Sequence, residues 1–361
     1  MLYAKGTVNV PAPVGQNTAL GITFTHRLAR VGVEINTMGM FADIENLGVT
    51  VSGLAAKTAT INLRTGALSN LVAYEPTLDF TSFENVEEPY ADAKIGYVYT
   101  AEVGTSNVVV TLNKLQLKID DGSSRSFDQL LTATPSTFTF NSLPRRLGAS
   151  FTARVNMIES PLTLGSVRWA RQNLYYIDGH NPYRFQHTSR HSNDRNSYFS
   201  FRGLTPENYS TSSSDPCTEV YPRNTWRQPT VNELTALSNA NPSFAAEPDG
   251  KRYFQYAASG TAGPYGSNTL RFNMNGQGAY ASLVSGLINL NYNGTYGNTA
   301  SYWSYNAAVD VPLLGTLVGA YSIENASGNS LIVGTNLLNI RLLGGLSVIE
   351  SDFKNVRCVR Q

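Results

Sequence analysis

Thr25-His26-Arg27-Leu28-Ala29-Arg30-Val31-Gly32-Val33-Glu34-Ile35 puts Ala29, Val31, Val33 and Ile35 on one face and Arg30 and Glu34 on the other, with Gly32 between them. Successive side chains of an extended chain point to opposite faces, so a period of two marks a strand with one dry and one wet side. The pattern recurs. Val49-Thr50-Val51 and Thr60-Ile61-Asn62-Leu63 follow, and Arg64-Thr65-Gly66 reads as a turn closing a first unit. A second run starts near Tyr74, where Ile95, Tyr97, Tyr99 and Ala101 alternate with Gly96, Val98 and Thr100. Val108 to Leu112 comes next, then the cleanest alternation in the chain, Lys114-Leu115-Gln116-Leu117-Lys118-Ile119-Asp120, with Asp121-Gly122 supplying turn chemistry. Phe138-Thr139-Phe140 and Phe151 to Met157 complete a meander. Short strands at this spacing predict β-sandwiches, with boundaries expected near residues 70 and 163.

The composition points the same way. Of 361 residues, 42% are hydrophobic, enough to build cores, but only 15% are charged. Ser, Thr, Asn and Gly must therefore supply the polar surface, as in β-rich extracellular proteins. The net charge of +1 gives no long-range pull toward nucleic acid or an anionic membrane. No stretch approaches the roughly 20 apolar residues of a transmembrane helix. Met1 to Lys5 reads as strand rather than as a charged-then-apolar leader, so an exported form is expected to have its leader upstream.

Beyond Leu164 the character changes. Thr230-Val231-Asn232-Glu233 is a capping box, followed by Leu234 and Leu237 on one helical face. From about residue 256 to 330 the chain is rich in Gly, Ser, Asn and Tyr, the residues of long ordered loops. Cys217 and Cys358 have no Cys or His in metal-ligand spacing. They read either as two buried thiols or as one disulfide closing a long loop.

The N-terminal 160 residues resemble the fimbrillins, the pilin superfamily of Bacteroidetes fimbriae. The resemblance rests on Ile22-Thr23-Phe24-Thr25-His26-Arg27-Leu28-Ala29-Arg30-Val31 and on Asn62-Leu63-Arg64-Thr65-Gly66. The C-terminal part is similar to the domain of fibrobacter major paralogous proteins, which has a C-type-lectin-like fold. Here the matching pieces are Trp169-Ala170-Arg171-Gln172-Asn173-Leu174, Asp215-Pro216-Cys217, Trp226-Arg227-Gln228-Pro229-Thr230-Val231-Asn232-Glu233, Tyr302-Trp303-Ser304 and Val356-Arg357-Cys358-Val359-Arg360.

Together these resemblances imply a mainly β chain: two tandem transthyretin-like β-sandwiches, at 1–70 and 71–163, followed by an α+β C-type-lectin-like domain at 164–361. They imply a non-enzymatic structural and adhesion subunit of cell-surface fimbriae, made as a lipoprotein precursor and associated with the outer membrane. An accessory or tip pilin is expected, with other pilin subunits as partners through strand donation and host glycan or protein as a further partner. The alternative is a stand-alone surface adhesin. In the lectin-like pattern one cysteine precedes the first helix and the other lies on the last strand, which implies a structural Cys217–Cys358 bond. Export favours its oxidation.

Catalytic and metal patterns are thin. His187 and His191 have the spacing of a zinc pair, but loop formers surround them and no Glu lies between, so no metal is expected. Gly345-Leu346-Ser347 lacks the glycine of a nucleophile elbow, and Glu87-Glu88 reads as part of a solvated linker. No catalytic residue and no cofactor is assigned. The candidate ligand surface is the aromatic set Tyr265, Tyr280, Tyr292, Tyr296, Tyr302, Trp303 and Tyr305, whose rings offer stacking faces to sugars. Their competing role is to pack the long loops onto a core, and most of them, Trp303 especially, are expected to do that.

Overall fold

The computed structural model describes residues 2–7, 21–119, 122–187, 191–206, 214–260, 268–282, 289–291, 296–311, 317–326, 329–338, 340–341 and 347–361. Strand predominates, 53% against 9% helical, which makes the chain mainly β. It divides into two compact units, Met1–Thr37 with Ala42–Met157 and Met38–Phe41 with Ile158–Gln361. Among the described residues no helix is long and apolar enough to cross a membrane.

The first unit is built on β1 (Ala29–Gly39), β2 (Ala42–Ser52), β3 (Thr77–Leu78), β4 (Phe83–Glu87), β5 (Tyr90–Thr100), β6 (Gly104–Ile119), β7 (Ser124–Ser126), β8 (Ser136–Arg145) and β9 (Ser150–Ile158). A short helix, α1 (Asp128–Ala133), links β7 to β8. One sheet has the order β9-β1-β5-β4, and the other β7-β6-β2-β3 with β8 also on β6. Ala29, Val31, Val33 and Ile35 are fully buried, as their alternation predicts. Val49 and Val51 on β2 and Val108, Val110 and Leu112 on β6 are fully buried as well. Each such side chain contributes about 1.5–3 kcal/mol by leaving water.

Two expectations are corrected here. Residue 70 does not divide two sandwiches, because β1 and β2 before it pair with β5 and β6 after it, as in Val31↔Val98 and Val49↔Leu112. The turn at Arg64-Thr65-Gly66 is real but closes only a local ribbon between Lys57–Ile61 and Leu68–Ala73. There the Asn62 carboxamide oxygen accepts from the amides of Arg64 and Thr65, and Gly66 takes a left-handed φ of 73°. Secondly, Glu87-Glu88 is not in a linker. Glu87 pairs with Tyr90, so the two carboxylates lie at the exposed turn of the β4–β5 hairpin.

A further point concerns phase. Val108, Val110 and Leu112 occupy even positions, whereas Leu115, Leu117 and Ile119 occupy odd ones, yet all belong to β6 and all are buried. The register against β2 shifts between Leu112 and Lys114, leaving Asn113 as the extra residue of a bulge. One inserted residue swaps the parity, so both apolar sets stay on the same face.

The second unit contains β10 (Leu162–Leu164), β11 (Val167–Trp169), β12 (Trp226–Arg227), β13 (Ser243–Ala246), β14 (Arg252–Ala257), β15 (Thr269–Asn273), β16 (Ser301–Val311), β17 (Leu317–Ala326), β18 (Ser330–Leu338) and β19 (Val359–Arg360). They form the sheets β10-β11-β19-β12, β13-β14-β15 and β16-β17-β18. A further sheet joins Phe199–Ser200, Ser347–Lys354, Gly278–Ser282 and Asn289–Asn291, with Ile340–Arg341 on its Ser347–Lys354 strand. Helix α2 (Val231–Asn239) starts at the expected capping box, with both halves present. Leu234 and Leu237 on its apolar face are buried in a core with Trp169, Phe254, Phe272 and Tyr302, where Phe254 and Phe272 stack at 4.9 Å. A second core gathers Phe41, Phe185, Trp226, Trp303 and both cysteines.

Candidate functional site

The best-defined construction in the second unit surrounds β19. Trp169 on β11 pairs with Val359 from one side, and Trp226 and Arg227 on β12 pair with Arg360 and Val359 from the other. Just ahead of the strand, Cys358 is disulfide-bonded to Cys217 with a Cα–Cα distance of 5.8 Å across a sequence separation of 141. Both residues are fully buried. The implied pairing is therefore present, and both cysteines of the chain are used in it.

Local chemistry brings Cys217 to this place. Pro216 starts a 3₁₀ turn, and the Asp215 carboxylate caps it by accepting from the Cys217 amide at 2.9 Å. The other oxygen of Asp215 accepts from the amide of Gln228 at 2.8 Å, tying the turn to the end of β12. Burial pushes the Asp215 carboxyl up to about 6, against the lowering effect of those amides and of Arg227. Arg227 in turn grips the carboxylate of Glu233 with both terminal nitrogens, at 2.8 and 2.6 Å. The same Glu233 accepts from the Thr230 amide at 2.7 Å, so one carboxylate completes the helix cap and anchors β12.

Arg357 holds the approach to β19. Its Nε donates to the Asn173 carboxamide at 2.9 Å, and its terminal nitrogens donate to the carbonyls of Ala170, Arg171 and Arg271 at 3.1, 2.6 and 2.9 Å. The guanidinium lies 4.4 Å from the Phe272 ring centroid. Burial lowers its pKa to about 10. An arginine satisfied in this way ties four acceptors together into a brace for the strand.

The structure takes Trp303, as expected, and Tyr302 out of the aromatic ligand surface. Trp303 is fully buried and donates from Nε1 to the Phe199 carbonyl at 2.8 Å. Tyr302 is buried too, its hydroxyl donating to the Asn273 carbonyl at 2.7 Å. Neither offers a face to a ligand, because ring area of this size is worth more in the core than in water. Tyr305 is half-buried beneath the Arg202 guanidinium, 4.8 Å from its ring centroid. Tyr265 and Tyr292 lie outside the described residues, and Tyr280 lies on the strand Gly278–Ser282 with its side chain outside them.

Tyr296 keeps a place near solvent. It is half-buried, His191 meets it edge-on at 6.4 Å, and the Lys251 ammonium lies 5.6 Å from its centroid. These two residues line an open cleft of about 540 Å³ together with Glu247, Pro248 and Asp249. His191 is fixed there by a 2.7 Å hydrogen bond between its Nε2 and the Arg252 carbonyl. No periodicity pointed to this cleft, since its lining comes from one turn, 247–251, and from His191 on a separate loop. Among the described residues no three His, Cys, Asp or Glu side chains converge as metal ligands. Known protein-family models do not match this chain and no curated protein matches it, so its functional reading rests on this geometry.

Proposed function

We propose that this chain is a structural, adhesive subunit of cell-surface fimbriae, acting as an accessory or tip pilin rather than as an enzyme. The observation that carries the reading is the position of β19. Strand donation between subunits uses an extended segment that can leave its own fold to complete a neighbour's sheet edge. Val359 is instead paired on both sides, with Trp169 of β11 and Arg227 of β12, and Arg360 pairs with Trp226 of β12, directly after a disulfide-bonded Cys358. A subunit whose late strand is fixed in this way accepts a neighbour but does not pass the chain of donation onward. It ends a fibre. Immunogold electron microscopy with antibody to this chain tests the reading on native fibres. Label at one fibre end is expected, label repeated along the shaft overturns the tip position, and fibres that never carry label overturn the fimbrial assignment.

A second reading, a stand-alone surface adhesin for glycan or host protein, is favoured by the His191–Lys251 cleft, with the Tyr296 ring beside both residues. An aromatic edge flanked by charged and hydrogen-bonding groups is chemistry suited to a sugar. Binding of the full chain to a glycan array, lost in Lys251→Ala, supports it; binding unchanged in that variant removes the cleft from consideration.

A further inference from the structure

The first unit contains a lysine, a carboxamide and a carboxylate arranged in a chain. Lys94 on β5 stands directly opposite Ile35 on β1 and directly opposite Asn85 on β4. Residues directly opposite in a sheet share a face. Lys94 and Asn85 therefore lie on the face that carries Ile35, Val33 and Val31, all fully buried. Lys94 itself is only 8% exposed, and its ammonium lies 5.1 Å from the centroid of the Phe80 ring. Its Nζ donates to Asn85 Oδ1 at 2.6 Å, a neutral amide rather than a carboxylate. On the far side of that amide, Asn85 Nδ2 donates to Glu88 Oε2 at 3.1 Å. The apolar alternation of this face calls for neither a lysine nor an asparagine.

We propose that Lys94 and Asn85 become joined by an intramolecular amide bond, with Glu88 as the proton-transfer group. The geometry supplies what the reaction needs. An amine is held beside the carbonyl it would attack, so the encounter is already intramolecular. A carboxylate is held at the nitrogen that must leave. Lys94 first releases one proton to solvent, and the amine lone pair then attacks Asn85 Cγ. The Nζ–Cγ bond forms and the Cγ–Nδ2 bond breaks. Nζ gives up one further proton to solvent, Glu88 takes one from solvent and hands it to Nδ2, and ammonia departs. Nothing is oxidised or reduced, and no cofactor is consumed. The product is a covalent rung between β4, the edge strand of its sheet, and β5. This inference does not depend on the fimbrial reading.

Mass spectrometry of the full chain tests it, after incubation of the folded protein at neutral pH and reduction of the disulfide. The expected mass is lower than that of the sequence by one ammonia. Digestion after glutamate locates the bond, because cleavage after Glu84 and Glu87 frees Asn85-Val86-Glu87 from an unlinked chain. In the linked chain that tripeptide stays on the Lys94 peptide, and trypsin fails to cut after Lys94. Lys94→Arg and Glu88→Gln are expected at full sequence mass. A free tripeptide and normal cleavage after Lys94 in the wild-type chain overturn the proposal, whether or not the variants fold. A bond that forms fully in Glu88→Gln overturns the part given to Glu88.

Discussion

In the first unit, β2 and β6 stay paired from Val109↔Ser52 to Ile119↔Ala42 across two register shifts, and the buried residues along them are repeated aliphatics. In the second unit, the strand that closes the β10-β11-β19-β12 sheet is only two residues long. Its neighbourhood is held by one disulfide, one buried arginine and one capped turn. The first unit distributes its stability over many similar contacts, each worth little. Around β19, beside its two aromatic cores, the second relies on a few groups whose loss leaves buried polar atoms unpaired. Packing of the first kind yields gradually to substitution, whereas construction of the second kind fails at single points.

The largest expected effect separates the two units directly. Replacing both cysteines, Cys217→Ala with Cys358→Ala, removes about 4–5 kcal/mol from the second unit in the chain-entropy model for a loop of this length. The first unit should be unmoved. Calorimetry should show one transition falling and one staying; a common shift of both would break the comparison. The converse is Leu112→Ala, which opens a cavity in the aliphatic face of β6 at a cost of about 2–4 kcal/mol. Denaturant unfolding should then show the loss in the first unit alone.

A smaller effect concerns pH. The folded-state pKa of Asp215 is raised to about 6 from an ordinary 3.8, chiefly by burial. The folded state therefore holds this proton more tightly than the unfolded one. The resulting stability is fully present below the ordinary value and is lost as pH rises through about 6, by an amount on the order of 2–3 kcal/mol. Glu159, raised by burial in the same unit, acts in the same direction. The difference between wild type and Asp215→Asn across pH 4 to 7.5 isolates the Asp215 share (roughly one transition). A difference that does not vary with pH would remove Asp215 from the account.

How much of this was legible in the chain follows the same division. The alternation at Ala29 to Ile35 and the capping box at Thr230 are local patterns, and both elements form where the residues place them. The pairing of strands across residue 70 is non-local, and a turn signal at Gly66 says nothing about which strands lie beside it. The bulge at Asn113 hid a single strand by changing its phase, so β6 read as two. Around β19 the legible part was the cysteine pair, and it came through resemblance rather than periodicity. Arg357 looks like a surface residue in sequence; only the converging carbonyls of Ala170, Arg171 and Arg271 explain its burial. Tyr302 and Trp303 were ambiguous between platform and core because aromatic residues serve both, and depth in the fold decides between them.

The central placing of β19 also sets a schedule. Trp169 and Trp226 flank a strand supplied by Val359 and Arg360, so two neighbours made early wait for a segment made far later. Their sheet cannot close while that segment is still being synthesised. Until then Trp169, Trp226 and the thiol of Cys217 stand without the partners that bury them, a state that attracts chaperones and aggregation alike. Folding of the second unit is thereby tied to the arrival of Val359 and Arg360, and the Cys217–Cys358 bond, once an external oxidant has formed it, becomes the chemical record of that arrival.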